Sequence, residues 1–334
     1  MEEANAVVVI DEESLQISQH VCSRVQPLLC TPSFEDCKRG YDEKKKKPAT
    51  TLSERFYIFM KILSKKLGLK EFTSLKTWQA SFAEFLGMTA LIFAMDTIVV
   101  GTLETEKESP ILVMSFLMAV TLSIMLLAVF PVSGGHLNPV ISFTAGLLGL
   151  ISMSRAFLYI VAQSIGAVLG ALAFKAVISR EIDDNFALGG CTLSVVTQGP
   201  SGPITVGIGT DQALCLEVLG TFVVIFAACG IGFNRSGILG PKPVFMFSII
   251  GTMVGLMTYV TSTVTTVQGY AGAGMNPARC IGPAIVRGGL LWDRHWIFWV
   301  GPAIAALGFY VYTKVIPTEN FFPQDSLPSC TTKA

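Results

Sequence analysis

Two stretches of this chain, Ser133–Val140 (SGGHLNPV) and Gly272–Arg279 (GAGMNPAR), set an Asn-Pro pair after small residues and before a short apolar run. Asn-Pro starts helices, because the Asn side chain caps free backbone N–H groups and Pro suits the first turn. Both starts lie inside hydrophobic sequence. The runs that follow, 138–149 and 276–287, fall short of the roughly 20 residues that a bilayer-spanning helix needs. Two half-helices dipping into a membrane from opposite sides satisfy both facts, and they would line a pore.

The remainder supplies the crossings. With 51% hydrophobic and 14% charged residues, the chain is too apolar for an ordinary soluble protein. Six apolar stretches near 79–100, 111–130, 156–178, 212–232, 244–265 and 296–315 have spanning length. The loops between them alternate in charge. Leu103–Pro110 and Arg180–Asp211 are acidic, whereas Asn234–Pro243 and both ends carry Lys or Arg, 13 of the 24 basic residues lying before residue 77. The positive-inside rule then puts both termini in the cytoplasm and the acidic loops outside. It also puts the glycosylation pattern at Asn234 on the wrong side for modification.

The expected organisation is a cytoplasmic tail over 1–76, a channel domain over 77–316 and a cytoplasmic tail over 317–334. The first tail carries the Lys44–Lys47 run, and Arg55–Leu69 mixes apolar and basic residues in a way that suits either an anionic membrane surface or a linker. Met1–Ser14 holds five acidic residues and lacks the basic region of a signal peptide. A net charge of zero implies no nucleic-acid partner. The eight cysteines show no metal-ligand spacing, so no metal or other cofactor is expected.

Within 77–316 the chain repeats itself. Ala83–Met88 (AEFLGM) matches Leu216–Thr221 (LEVLGT), and the distance from Glu84 to Asn138 is close to that from Glu217 to Asn276. Small-residue helices follow both Asn-Pro pairs. Repeats over about 78–180 and 211–316, with three spans each, must cross the membrane in opposite senses. Such repeats place their shared site near the midplane. There the loop carbonyls form a ladder of acceptors, the Asn138 and Asn276 amides are expected to point into the pore as donors, and two converging half-helix dipoles disfavour cations and protons. Glu84 and Glu217 are read as the only ionisable groups within the spans, accepting hydrogen bonds from the loop backbones. His136 fits a fixed hydrogen-bonding role in its loop better than titration as a gate.

These motifs (Asn138-Pro139-Val140, Asn276-Pro277-Ala278, the Glu-bearing repeats and the six spans) resemble the aquaporin, or major intrinsic protein, family over about residues 78–316. Cys280 directly after Arg279, and Val140 in place of the usual Ala, are similar to the plant X intrinsic proteins. The resemblance implies an all-α membrane protein, six transmembrane helices plus two re-entrant half-helices in an inverted repeat, assembled as a homotetramer in the plasma membrane. It also implies a selectivity filter at Met118, Thr258, Ala273 and Arg279, wider and less polar than a water-selective throat. Val140 is expected to pack beside its turn and not to reach the pore.

The expected cargo is small uncharged solutes (glycerol, urea, boric acid, hydrogen peroxide) with weak water flux. Cys191 and Cys280 both face the oxidising side, where they can pair with each other or with a neighbouring subunit. Three rivals stay open at this point: an ordinary water channel with a relaxed filter, a gradient-driven secondary transporter, and a junction protein indifferent to Arg279. An enzyme is disfavoured, because no nucleophile, base and oxyanion arrangement is visible.

Overall fold

The computed structural model describes residues 67–105, 109–232, 243–265 and 267–316. The Lys44–Lys47 run, most of Arg55–Leu69, the Asn234 pattern and the C-terminal tail lie outside them. Among the described residues, helix α1 (Leu75–Glu104) is followed by α2 (Pro110–Ser133), the short α3 (Pro139–Leu147) and α4 (Met153–Lys175). A short helix α5 (Arg180–Phe186) and a hairpin of β1 (Ser194–Gly199) and β2 (Gly202–Gly207) lead into the second half. That half repeats the pattern with α6 (Thr210–Gly232), α7 (Pro243–Thr263), the short α8 (Pro277–Arg287) and α9 (Ile297–Val315). Six of these helices, α1, α2, α4, α6, α7 and α9, are long and apolar enough to cross a membrane.

Helix α2 shows why a bilayer is the solvent. Its inner stripe Met114, Met118, Leu122 and Leu126 is buried, while Leu112, Phe116, Val120 and Ile124 on another face stay 41–66% exposed. A helix apolar all round, with one apolar face uncovered, is stable against lipid and unfavourable against water. The helices start and stop where backbone chemistry dictates. Pro110 opens α2, which ends at Gly134 with φ 96°, and the Ser152 hydroxyl caps α4 by accepting from Arg155 N.

Close helix contact follows from small residues, as expected where lipid removes the hydrophobic drive between helices. At Gly170 of α4 an added Cβ would stand 2.5 Å from the carbonyl oxygen of Thr89 on α1, so only hydrogen fits there. The segment 180–211, read from sequence as an acidic loop, is more ordered than that. Its hairpin pairs Ser194 with Gly207 through to Gly199 with Gly202.

Candidate functional site

Each Asn-Pro loop is shaped by a buried carboxylate from the first span of its own repeat. Glu84, fully buried on α1, accepts from His136 N at 3.0 Å and Leu137 N at 2.7 Å, and further from Ser133 Oγ and Gln163 Nε2. Glu217 on α6 accepts from Gly274 N at 2.5 Å and Met275 N at 3.0 Å. These bonds turn two successive backbone N–H groups toward the Glu. The residue before each Asn takes a left-handed conformation, φ 42° at Leu137 and 53° at Met275. Two branched or bulky side chains held there signal strain that the surrounding hydrogen bonds sustain.

The left-handed turns set up both Asn residues. Asn138 Oδ1 accepts from Val140 N at 3.0 Å, and Asn276 Oδ1 accepts from Ala278 N at 3.1 Å and Arg279 N at 3.4 Å, capping α3 and α8. Their amides cross over. Asn138 Nδ2 donates to Met275 O at 3.0 Å and Asn276 Nδ2 donates to Leu137 O at 2.9 Å. Each amide has two N–H donors; the opposite loop holds one of them and leaves the other for the pore. The side chains still line a cavity that runs between the two halves.

That cavity is bordered by α1, α2, α6, α7 and both loops, and Met118, Thr258, Ala273 and Arg279 all line it. Met118 sits on the α2 stripe, Thr258 on a matching α7 stripe with Ile250, Val254 and Ser262. The Thr258 hydroxyl donates to Val254 O at 2.9 Å, within its own helix, so it offers the cavity an acceptor and a methyl group. Ala273 N donates to Thr261 Oγ1 at 3.0 Å. The positive ends of α3 and α8 meet at the Asn pair.

His136 lines the cavity too, with Nδ1 3.1 Å from Ser142 Oγ and its ring edge-on to Tyr159. Val140 does not. It is buried among Ile225, Cys229, Ala305 and Phe309. Pro139, Pro277 and Ala278 are buried in the first turns of α3 and α8.

Arg279, in the first turn of α8, is held from the loop between α5 and β1. Nη2 donates to Gly189 O at 2.7 Å and Nη1 approaches Cys191 Sγ at 3.5 Å. Cys191 is disulfide-bonded to Cys280 within the same chain, tying that loop to α8. Gly189 has φ 67°, and a Cβ there would come 2.9 Å from Asp96 O, so the loop can deliver its carbonyl only through glycine.

Sequence reasoning missed Asp96. The reading that Glu84 and Glu217 are the only ionisable groups in the spans is wrong: Asp96 is on α1, fully buried, 3.9 Å from Arg279 Nη1. Its signal was a single Asp in a 30-residue apolar helix that also carries Glu84 and, at its end, Glu104; hydropathy averages it away although a membrane makes it conspicuous.

The family model for "Major intrinsic protein" matches residues 71–312. A "Probable aquaporin TIP-type alpha" of Phaseolus vulgaris is 32% identical over 257 residues, 75% of this chain and 90% of that protein. "Aquaporin-4" of Homo sapiens is 31% identical, covering 70% of this chain and 67% of that one. Among solved structures, the aquaglyceroporin from Plasmodium falciparum superposes with a TM-score of 0.56 at 16% identity, covering 72% of this chain and 96% of that one, which speaks to the fold alone. Six apolar crossings, two capped half-helices meeting at paired Asn residues and these matches agree: the chain belongs to the major intrinsic protein family of membrane channels, the aquaporins.

Proposed function

We propose that this channel passes small uncharged solutes (glycerol, urea, boric acid and hydrogen peroxide) with low water permeability, and excludes ions and protons. The observation that carries this reading is the character of the four cavity-lining side chains. Met118 and Ala273 are apolar, and the Thr258 hydroxyl hydrogen is engaged within α7. Arg279 is left as the side-chain donor of the set. A polyol can set its hydroxyl edge on Arg279 and its carbon edge on Met118 and Ala273. A lone water molecule there leaves hydrogen bonds unmade, which costs about 1–3 kcal/mol for each buried group. The guanidinium charge and the two helix dipoles oppose cations.

In this reading Glu84, Glu217 and His136 hold the loops, and the protein is a homotetramer in the plasma membrane with both termini cytoplasmic. The Val140 and Cys280 departures support a place beside the plant X intrinsic proteins. Reconstitution in liposomes with stopped-flow light scattering tests the solute preference. Glycerol flux above empty vesicles with little gain in water flux supports it. Fast water flux without glycerol flux overturns it in favour of a water-selective channel, and saturable, gradient-driven uptake would point to a transporter.

A further inference from the structure

Asp96 is out of place in α1 unless something answers its charge. Both carboxylate oxygens are buried and neither has a hydrogen-bond partner. Its neighbours Met95 and Val99 line the cavity, and Asp96 lies behind them with no exposed surface. An isolated carboxylate at that depth is strongly unfavourable. Arg279 is the cation in reach, its Nη1 3.9 Å from Asp96 Oδ1, a gap too long for a direct hydrogen bond but short enough for an ion pair. The Arg279 side chain is itself only 11% exposed.

Glu217 is the other acidic group close to this arginine, but both its oxygens accept backbone N–H groups of Gly274 and Met275. The other two contacts of Arg279, Gly189 O and Cys191 Sγ, are uncharged. Asp96 is thus the unengaged counter-charge. The backbone fits this arrangement, because Gly189 packs directly on the Asp96 main chain while presenting its carbonyl to Nη2.

We propose that Asp96 is a positioning residue for selectivity: its carboxylate clamps the Arg279 guanidinium between α1 and the Gly189 carbonyl and offsets its charge at the filter. A fixed fork of donors then faces the solute, with a weaker net positive field than a lone arginine would produce. Without the carboxylate, Arg279 swings more freely across the cavity and its unbalanced charge attracts anions. The proposal rests on Arg279 being the charged wall of the filter, as read above.

The test uses the full-length protein in liposomes, with wild type, Asp96→Asn, Asp96→Glu, Arg279→Val and the Asp96→Asn/Arg279→Val pair. Asp96→Asn is expected to change the glycerol-to-water permeability ratio by about threefold or more, the size of coupling usual for contacting charged residues. It should also admit a nitrate leak that the wild type lacks. Asp96→Glu, which keeps the charge, should restore most of the ratio, and Asp96→Asn should add nothing once Arg279 is Val. An equal change in both arginine backgrounds, or no change in either, overturns the proposal.

A second readout does not depend on which solute passes. Phenylglyoxal labelling of Arg279, followed by peptide mass spectrometry, should run several-fold faster in Asp96→Asn than in wild type or Asp96→Glu, and equal rates in all three overturn the clamp. Where Asp96→Asn does not fold, Asp96→Ser takes its place in both assays. A wild type without glycerol flux whose Arg279 labelling still depends on Asp96 would sink the solute reading and sustain this one.

Discussion

Asn138 and Asn276 secure each other's loops: each donates its amide to the carbonyl of the residue just before the other. The two bonds join residues 137 and 139 positions apart in sequence and stitch the inverted halves together at the point where both half-helices begin. Each Asn therefore does two jobs, capping with its oxygen and bridging with its nitrogen.

Those jobs separate in Asn276→Asp. Aspartate caps a helix about as well as asparagine, but it has no N–H to give Leu137 O. The orphaned carbonyl should lower stability by about 1–3 kcal/mol, and the new negative charge at the junction should abolish most solute flux. Asn276→Ala, which loses cap and bridge together, should be less stable still. Thermal unfolding in detergent, followed by intrinsic fluorescence, gives the ranking; an Asp variant as stable and conductive as wild type would remove the bridge from the account.

The Cys191–Cys280 bond closes a loop over a separation of 89 residues. On the chain-entropy picture such a cross-link stabilises by on the order of 4–5 kcal/mol, an upper figure where helices already sit in lipid. Reduction should lower the apparent unfolding temperature of wild type, and Cys191→Ser, Cys280→Ser and the double variant should all unfold at that lower temperature. Peptide mapping of unreduced protein should recover the Cys191–Cys280 pair. Variants that match oxidised wild type would leave the bond without a stabilising role.

How much of this could be read from the chain alone follows from the solvent. A membrane demands long apolar helices and punishes irregular backbone, so the six spans and the two Asn-Pro interruptions stand out against it. The loop-supporting Glu pair was visible because it recurs at matching distances from each Asn. What escaped was whatever depends on chains meeting in space. The crossing of the Asn amides needs the left-handed turns at Leu137 and Met275, and neither Leu nor Met advertises positive φ.

Asp96 and Gly189 meet across 93 positions and share no motif. The hairpin did carry a signal, since β-branched residues in SVVTQG and GPITVG flank a Pro-Ser turn, but it sits in a stretch where loop composition dominates.

On the side of α1 that leads to the N-terminal tail, Glu71 ties the start of the fold to α4 through Arg155 Nε at 2.9 Å and to α1 through the Thr77 hydroxyl at 2.6 Å. Partial burial raises the affinity of this carboxyl for a proton, but the Thr77 and Arg155 hydrogen bonds and the Arg155 charge outweigh it and hold the group below the usual carboxylate range. A carboxylate with a lowered folded pKa stabilises above its unfolded value of 4.5 and loses that contribution as pH falls through the lower folded value. Unfolding temperature should therefore drop across that acid window in wild type and drop less in Glu71→Gln. Identical pH profiles would mean the pair is fully screened by solvent.

The sharpest check on the proposed solute preference is a substitution that narrows the throat and adds a donor. Thr258 lines the cavity with its hydroxyl hydrogen engaged by Val254 O. Thr258→His places a larger ring there, with an N–H free to face Arg279 across the pathway. Water should gain a hydrogen-bond partner while a polyol loses room, so the two permeabilities should move in opposite directions. Since about 1.4 kcal/mol is a tenfold change in rate, one added hydrogen bond to water and one steric penalty to glycerol should raise the water-to-glycerol ratio by about tenfold or more. Parallel stopped-flow traces under water and glycerol gradients decide it. If both fluxes fall together, the His has merely blocked the pathway; if neither moves, Thr258 does not border the narrowest point and the filter lies elsewhere along the cavity.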